Sequence, residues 1–186
     1  MKKVISIMTA AVLAITISGI AFAEKAPQEV TDLANSKLLA MGMDPTIVEA
    51  VNAENAKRKS LSSIQEMDAK WKATPGIVDY MKALMDNECG KYLKGIQNSD
   101  SYLAEVFVMD NKGANVCMTD KTSDYWQGDE AKFKNSYNNG KGNVFVDEVE
   151  FDDSTQTYIA QVSVPVVDEG KVIGAITFGI DVEKLN

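Results

Sequence analysis

Gln161-Val162-Ser163-Val164-Pro165-Val166-Val167-Asp168-Glu169-Gly170-Lys171-Val172-Ile173-Gly174-Ala175-Ile176-Thr177-Phe178-Gly179-Ile180 decides the fold. Two apolar runs meet at Asp168-Glu169-Gly170. That connection has room only for a tight reversal, so the runs are antiparallel neighbours. The second, Val172 to Val182, is apolar at nearly every position, as a central strand covered on both faces would be. Working back, Thr157 to Val167 follows the turn formers Asp152-Asp153-Ser154-Thr155, and Asn143 to Phe151 precedes them. In that stretch Phe145, Asp147, Val149 and Phe151 fall on one face and Val144, Val146, Glu148 and Glu150 on the other. Further upstream, Leu103 to Met109 and Ala114 to Thr119 flank Asp110-Asn111-Lys112-Gly113, a hairpin signal. Five strands are therefore expected, the last three joined by short turns.

Before Asn98 the period is helical. Asp44-Pro45 supplies a cap and a first-turn proline ahead of Ile47, Val48 and Val51, and Ser60 precedes Leu61, Ile64, Met67 and Trp71. Thr74-Pro75 is read as the start of one long helix over residues 75–97. Its apolar stripe comprises Ile77, Met81, Leu84, Met85, Cys89, Tyr92, Leu93 and Ile96. The methionines in it are core filler rather than a thioether metal site. The chain thus divides into a helical region, residues 24–98, and a sheet region, 99–186. The long helix is expected on one face of the sheet, and the segment from Asp120 to Gly142 on the other.

Residues 1–23 read as an export signal: Lys2 and Lys3, an apolar run from Val4 to Ile20, and the small-x-small site Ala21-Phe22-Ala23. The competing reading is a retained anchor, which Thr16, Ser18 and Gly19 weaken. Cleavage near Ala23 would leave a soluble periplasmic or secreted protein, with no direct membrane insertion. It would also remove two lysines and take the formal net charge from −8 to −10. So acidic a surface argues against nucleic acid or anionic lipid as partner.

The chain has no histidine, which removes Ser-His and Cys-His catalysis and His-ligated zinc. It also contains no G-x-S-x-G, H-E-x-x-H or G-x-x-x-x-G-K-[ST] string. No enzyme activity and no cofactor are expected. Cys89 and Cys117 are either bridged, stapling helix to strand if their Cα atoms come within about 7 Å, or two buried free thiols.

Phe107-Val108-Met109-Asp110-Asn111-Lys112-Gly113 resembles the first hairpin of Cache (PDC-type) extracellular sensor domains. Gln161 to Val166 and Gly170 to Ile176 resemble their last two strands. The resemblance covers about Tyr102 to Leu185. It implies an α+β, PAS-like, five-stranded antiparallel sheet backed by a long N-terminal helix, here with extra N-terminal helices. It also implies a small-molecule pocket between the front of the sheet and the 120–142 loops. Domains of this family usually belong to receptors, kinases and cyclases. No output domain is recognisable here, which leaves a membrane-bound receptor or histidine kinase as the partner to which a ligand is presented. A subunit or adaptor that binds no ligand is the alternative.

Asp124-Tyr125-Trp126-Gln127-Gly128-Asp129-Glu130 supplies the pocket candidates. Its paired aromatics could stack on a flat or cationic ligand while Asp124, Asp129 and Glu130 neutralise it. The alternative is that Trp126 plugs the sheet as core and the acids face water. Phe133 is added from the following segment, and Phe145, Asp147 and Tyr158 from the strands. Calcium is disfavoured because the acids do not have the D-x-[DN]-x-[DN]-G spacing, so no metal is expected. The amino-acid-binding branch of the resembled family carries an Arg and a Trp-Tyr pair where this chain has about Asp129 to Phe133. It carries an Asp where this chain has Ile176. Both clamps for an amino acid are then missing, which points to a small neutral or cationic organic ligand.

Overall fold

The computed structural model describes residues 24–152 and 155–185; the expected leader lies outside them. Strands β1 (Leu103–Met109) and β2 (Asn115–Met118) form the first hairpin. Asp110 closes it, its Oδ1 accepting from the backbone N–H of Lys112 at 2.8 Å and of Ala114 at 3.0 Å. Then come β3 (Phe145–Asp152), β4 (Thr157–Asp168) and β5 (Lys171–Asp181), all antiparallel. The order β2-β1-β5-β4-β3 makes β5 the central strand, as its unbroken apolar run demands.

Alternation sorts each strand between two cores. Val106 and Val108 of β1, Val162 and Val164 of β4, and Ile176 and Phe178 of β5 point back. There they bury Val30, Ala34 and Leu38 of the N-terminal helical stretch and Ile47 and Val51 of α3 (Pro45–Ala56). That first stretch runs as α1 (Gln28–Leu33), a π-helical segment (Ala34–Leu38) and α2 (Leu39–Met41). Phe107 and Met109 of β1, Met118 of β2 and Ala175 of β5 point forward. The front core is completed by Ile64 and Trp71 of α4 (Leu61–Ala73) and by Met81, Tyr125 and Phe133. The 120–142 segment therefore does not cover the front alone. Trp71 seals it as well, fully buried and with its indole N–H donating to the carbonyl of Thr122 at 2.8 Å.

The single helix expected over 75–97 is two. Pro75 lies before the helical region, and α5 (Asp79–Asp86) and α6 (Glu88–Ser99) meet at Asn87, whose backbone is extended. Asn87 caps α6 by accepting from the Gly90 N–H at 2.7 Å, and its amide donates to the Val116 carbonyl at 3.1 Å. A Cβ on Gly90 would stand 2.4 Å from the Met85 carbonyl oxygen, so the break needs glycine there. The consequence is a split stripe. Met81 packs forward, whereas Cys89 and Leu93 pack back, and Ile77 is exposed before α5 begins. Cys89 at the start of α6 is bridged to Cys117 of β2, with Cα atoms 5.8 Å apart.

β3 also departs from simple alternation. Val146 pairs with Val162, but Val149 pairs with Ala160, so one extra residue is accommodated between them. Asp147 Oδ1 accepts from the Glu148 N–H at 3.0 Å inside this bulge. Val149 thereby joins Val144 and Val146 on the helix-covered side instead of sharing a face with Phe145 and Asp147.

Candidate functional site

The segment after β2 is tied down at three points. Ala114 and Trp126 form a bridge, the Asn115 N–H donates to the Tyr125 carbonyl at 3.0 Å, and the Gln127 N–H donates to the Gly113 carbonyl at 2.7 Å. Buried Asp68 of α4 accepts from the backbone N–H groups of Tyr125 and Trp126, at 2.9 and 3.1 Å. Lys72 joins Asp68 to Asp124, at 2.8 and 2.6 Å. Helix α7 (Ala131–Tyr137) follows and packs on β4, β5 and β3.

Between this cover and the sheet lies a trough formed by two adjoining cavities of about 280 and 380 Å³. Lys132, Phe151, Asp152 and Gln161 line both. Glu105, Phe107 and Gln127 complete the larger cavity, and Glu130, Asp147, Glu148 and Glu150 the smaller.

The floor is a carboxylate laid across the sheet. Glu105 on β1 pairs with Gly179 on β5, which pairs in turn with Gln161 on β4. The Glu105 side chain crosses Gly179, where a Cβ would stand 2.6 Å from its Cγ, and accepts from Gln161 Nε2 at 3.0 Å. Burial pushes the Glu105 carboxyl above the ordinary carboxylate range. The Gln161 hydrogen bond and the Lys132 charge act against that shift, and Asp152 and Asp120 add to it.

Lys132, in the first turn of α7, lies inward with only 14% of its side chain exposed. Its Nζ is 3.0 Å from Glu130 Oε2 and 5.5 Å from the centre of the Phe107 ring. Gln127 is 1% exposed; its amide N–H donates to the Asp124 carbonyl at 2.8 Å, but its Oε1 has no hydrogen-bond partner. Six carboxylates, Glu105, Glu130, Asp147, Glu148, Glu150 and Asp152, thus line the trough with one lysine.

Of the residues singled out from sequence, Glu130 and Asp147 line the trough. Tyr125 and Phe133 are buried in the front core, and Trp126 packs against it with its indole N–H donating to the Lys112 carbonyl at 2.8 Å. Asp124 is held by Lys72, and Asp129 is exposed. Phe145 pairs with Ser163. Tyr158 has the strand parity of Ala160 and Val162 and is half exposed, edge-on to Phe151. Sequence reasoning passed over Glu105, Gln161, Gly179 and Lys132. The first two carried a legible signal, a charged and an amide side chain in register with front-facing positions of otherwise apolar strands. Ile176 faces the helices, so the lack of an acid there has no bearing on a front-side site. Lys132 also puts a cation within the stretch where the arginine is missing.

No protein-family model matches the chain, and neither does any curated protein. Solved structures do. The sensor domain of the V. cholerae histidine kinase DctB superposes with a TM-score of 0.51 at 11% identity, over 84% of this chain and 51% of that one. The ligand-binding domain of the Campylobacter jejuni chemoreceptor Tlp3, in complex with 4-methylisoleucine, gives 0.43 at 17% identity, over 85% and 60%. The chain spans about half the length of the DctB domain. At this identity the likeness is one of fold alone: the five-stranded antiparallel sheet with helices packed on it is shared with the DctB sensor domain. Among the described residues no helix is long and apolar enough to cross a membrane.

Proposed function

We propose that this chain is an exported sensory module that binds a small neutral or cationic organic ligand in the trough between the sheet and the 120–142 segment. On this reading it presents that ligand to a membrane receptor or histidine kinase and catalyses no reaction. The observation that carries the reading is the trough floor. There the Glu105 carboxyl, pushed up by desolvation, and the Phe107 ring line one cavity, an acidic and aromatic surface suited to a cation. The excess of carboxylates favours a cation over an anion, and the leader at residues 1–23 supports export.

A thermal-shift screen of the protein lacking residues 1–23, over amines, neutral polar compounds, amino acids and carboxylates, tests the reading. A compound present at a hundred times its Kd stabilises the fold by about 2.7 kcal/mol, and Glu105→Ala should abolish that gain. The proposal fails if no compound raises the melting temperature, or if the gain survives Glu105→Ala.

A further inference from the structure

Only 14% of the Lys132 side chain is exposed, although its helix lies at the surface. It stands on a surface helix whose next lysine, Lys134, is exposed, and long cationic side chains normally extend their heads into solvent. A cation in the first turn of a helix also opposes the helix dipole. Its inward position is therefore maintained by the trough: the Phe107 ring face beneath its ammonium, the Glu130 carboxylate beside it, and the nearby charge of Glu105. An alkyl chain ending in an ammonium is already seated in the place where a ligand is expected.

We propose that the trough takes a primary alkylammonium, and that Lys132 is its tethered stand-in, occupying the cation position over Phe107 until a ligand amine displaces it. This rests on reading the trough as a ligand site and adds the chemical class and a specificity-determining residue. Tethering gives the lysine a high effective concentration, so the native site is selective for amines able to outcompete it.

The side chain of lysine is n-butylammonium, which makes that ion the probe. In calorimetric titrations of the protein lacking residues 1–23, Lys132→Ala should bind n-butylammonium at least about tenfold more tightly than the wild type. Lys134→Ala should behave as wild type, and n-butanol should show no gain with any variant. Lys132→Met, which keeps the stem in place, should gain less than Lys132→Ala.

Equal affinity in Lys132→Ala and wild type overturns the proposal, as does an equal gain from Lys134→Ala, which would reveal a general charge effect. If Lys132→Ala does not fold, the ammonium NMR resonance of Lys132 in the wild type takes its place. Its movement on titration with n-butylammonium supports displacement, and immobility at saturation overturns it. Failure of the sensory reading is distinct: no compound stabilises the wild type, yet n-butylammonium still binds Lys132→Ala more tightly. A stabilising ligand that is not an amine, with n-butylammonium bound by neither form, overturns only the alkylammonium proposal.

Discussion

Gly179→Ala is expected to damage the protein through one side chain, that of Glu105. A Cβ at position 179 would stand 2.6 Å from Glu105 Cγ and 3.3 Å from its Oε1. Cγ lies near the backbone, so the side chain cannot yield at its tip alone and must leave its path across β5. The hydrogen bond from Gln161 Nε2, 3.0 Å long, is then lost. A hydrogen bond to a charged group contributes about 1.5–3 kcal/mol. Replacing Gly by Ala restores about 0.4–1 kcal/mol by restricting the unfolded chain. The net loss is about 0.5–2.6 kcal/mol, or a fall of roughly 1–10 °C in melting temperature for a chain of this size. The discriminating assay is a double-mutant cycle by thermal melting with Glu105→Ala. Once Glu105 is truncated, Gly179→Ala should become neutral or stabilising, because the three nearest atoms to the new methyl all belong to the Glu105 side chain. An equal loss in both backgrounds would refute the reasoning, since the clash would then lie elsewhere.

Three further outcomes follow from particular contacts. The carboxyl of Glu105 is raised by burial, so its contribution to stability is complete below the ordinary carboxylate range and is lost as pH rises through its raised value. Glu105→Gln should therefore melt higher than wild type at pH 7 and lose that advantage at pH 4, as scanning calorimetry at the two pH values would show. The bridge between Cys89 and Cys117, separated by 28 positions, closes a loop whose constraint is worth about 3–4 kcal/mol in the chain-entropy model. Reduction should lower the melting temperature by roughly 7–14 °C, and oxidised and reduced protein melting together would refute that contribution. Gly90→Ala should destabilise by about 1–3 kcal/mol in urea denaturation, because the new methyl meets the carbonyls of Leu84 and Met85 at 2.6 and 2.4 Å.

The features legible in the amino-acid sequence follow from short-range rules. Strand periodicity located all five strands, turn residues imposed the β1–β2 and β3–β4–β5 connections, and Asp44 and Ser60 announced the caps whose hydrogen bonds the structure contains. Each of these is decided within a few residues by sterics and local hydrogen bonding, so one chain suffices to read it.

Tertiary structure decided the rest, because the rest depends on partners far away in the chain. Asn87 breaks the long helix because its amide finds Val116, 29 residues on, and a continuous apolar stripe gives no warning of that. The bulge in β3 is a matter of register against β4, and it moved Val149 to the other face. The loop aromatics pack away from the trough for the same reason. Tyr125 and Trp126 are the most conspicuous residues of their loop, but Asp68 on α4 and the edge of β2 turn them into packing. Glu105, Gly179 and Gln161 are inconspicuous on three separate strands and become a carboxylate floor only when the order β1-β5-β4 sets them side by side.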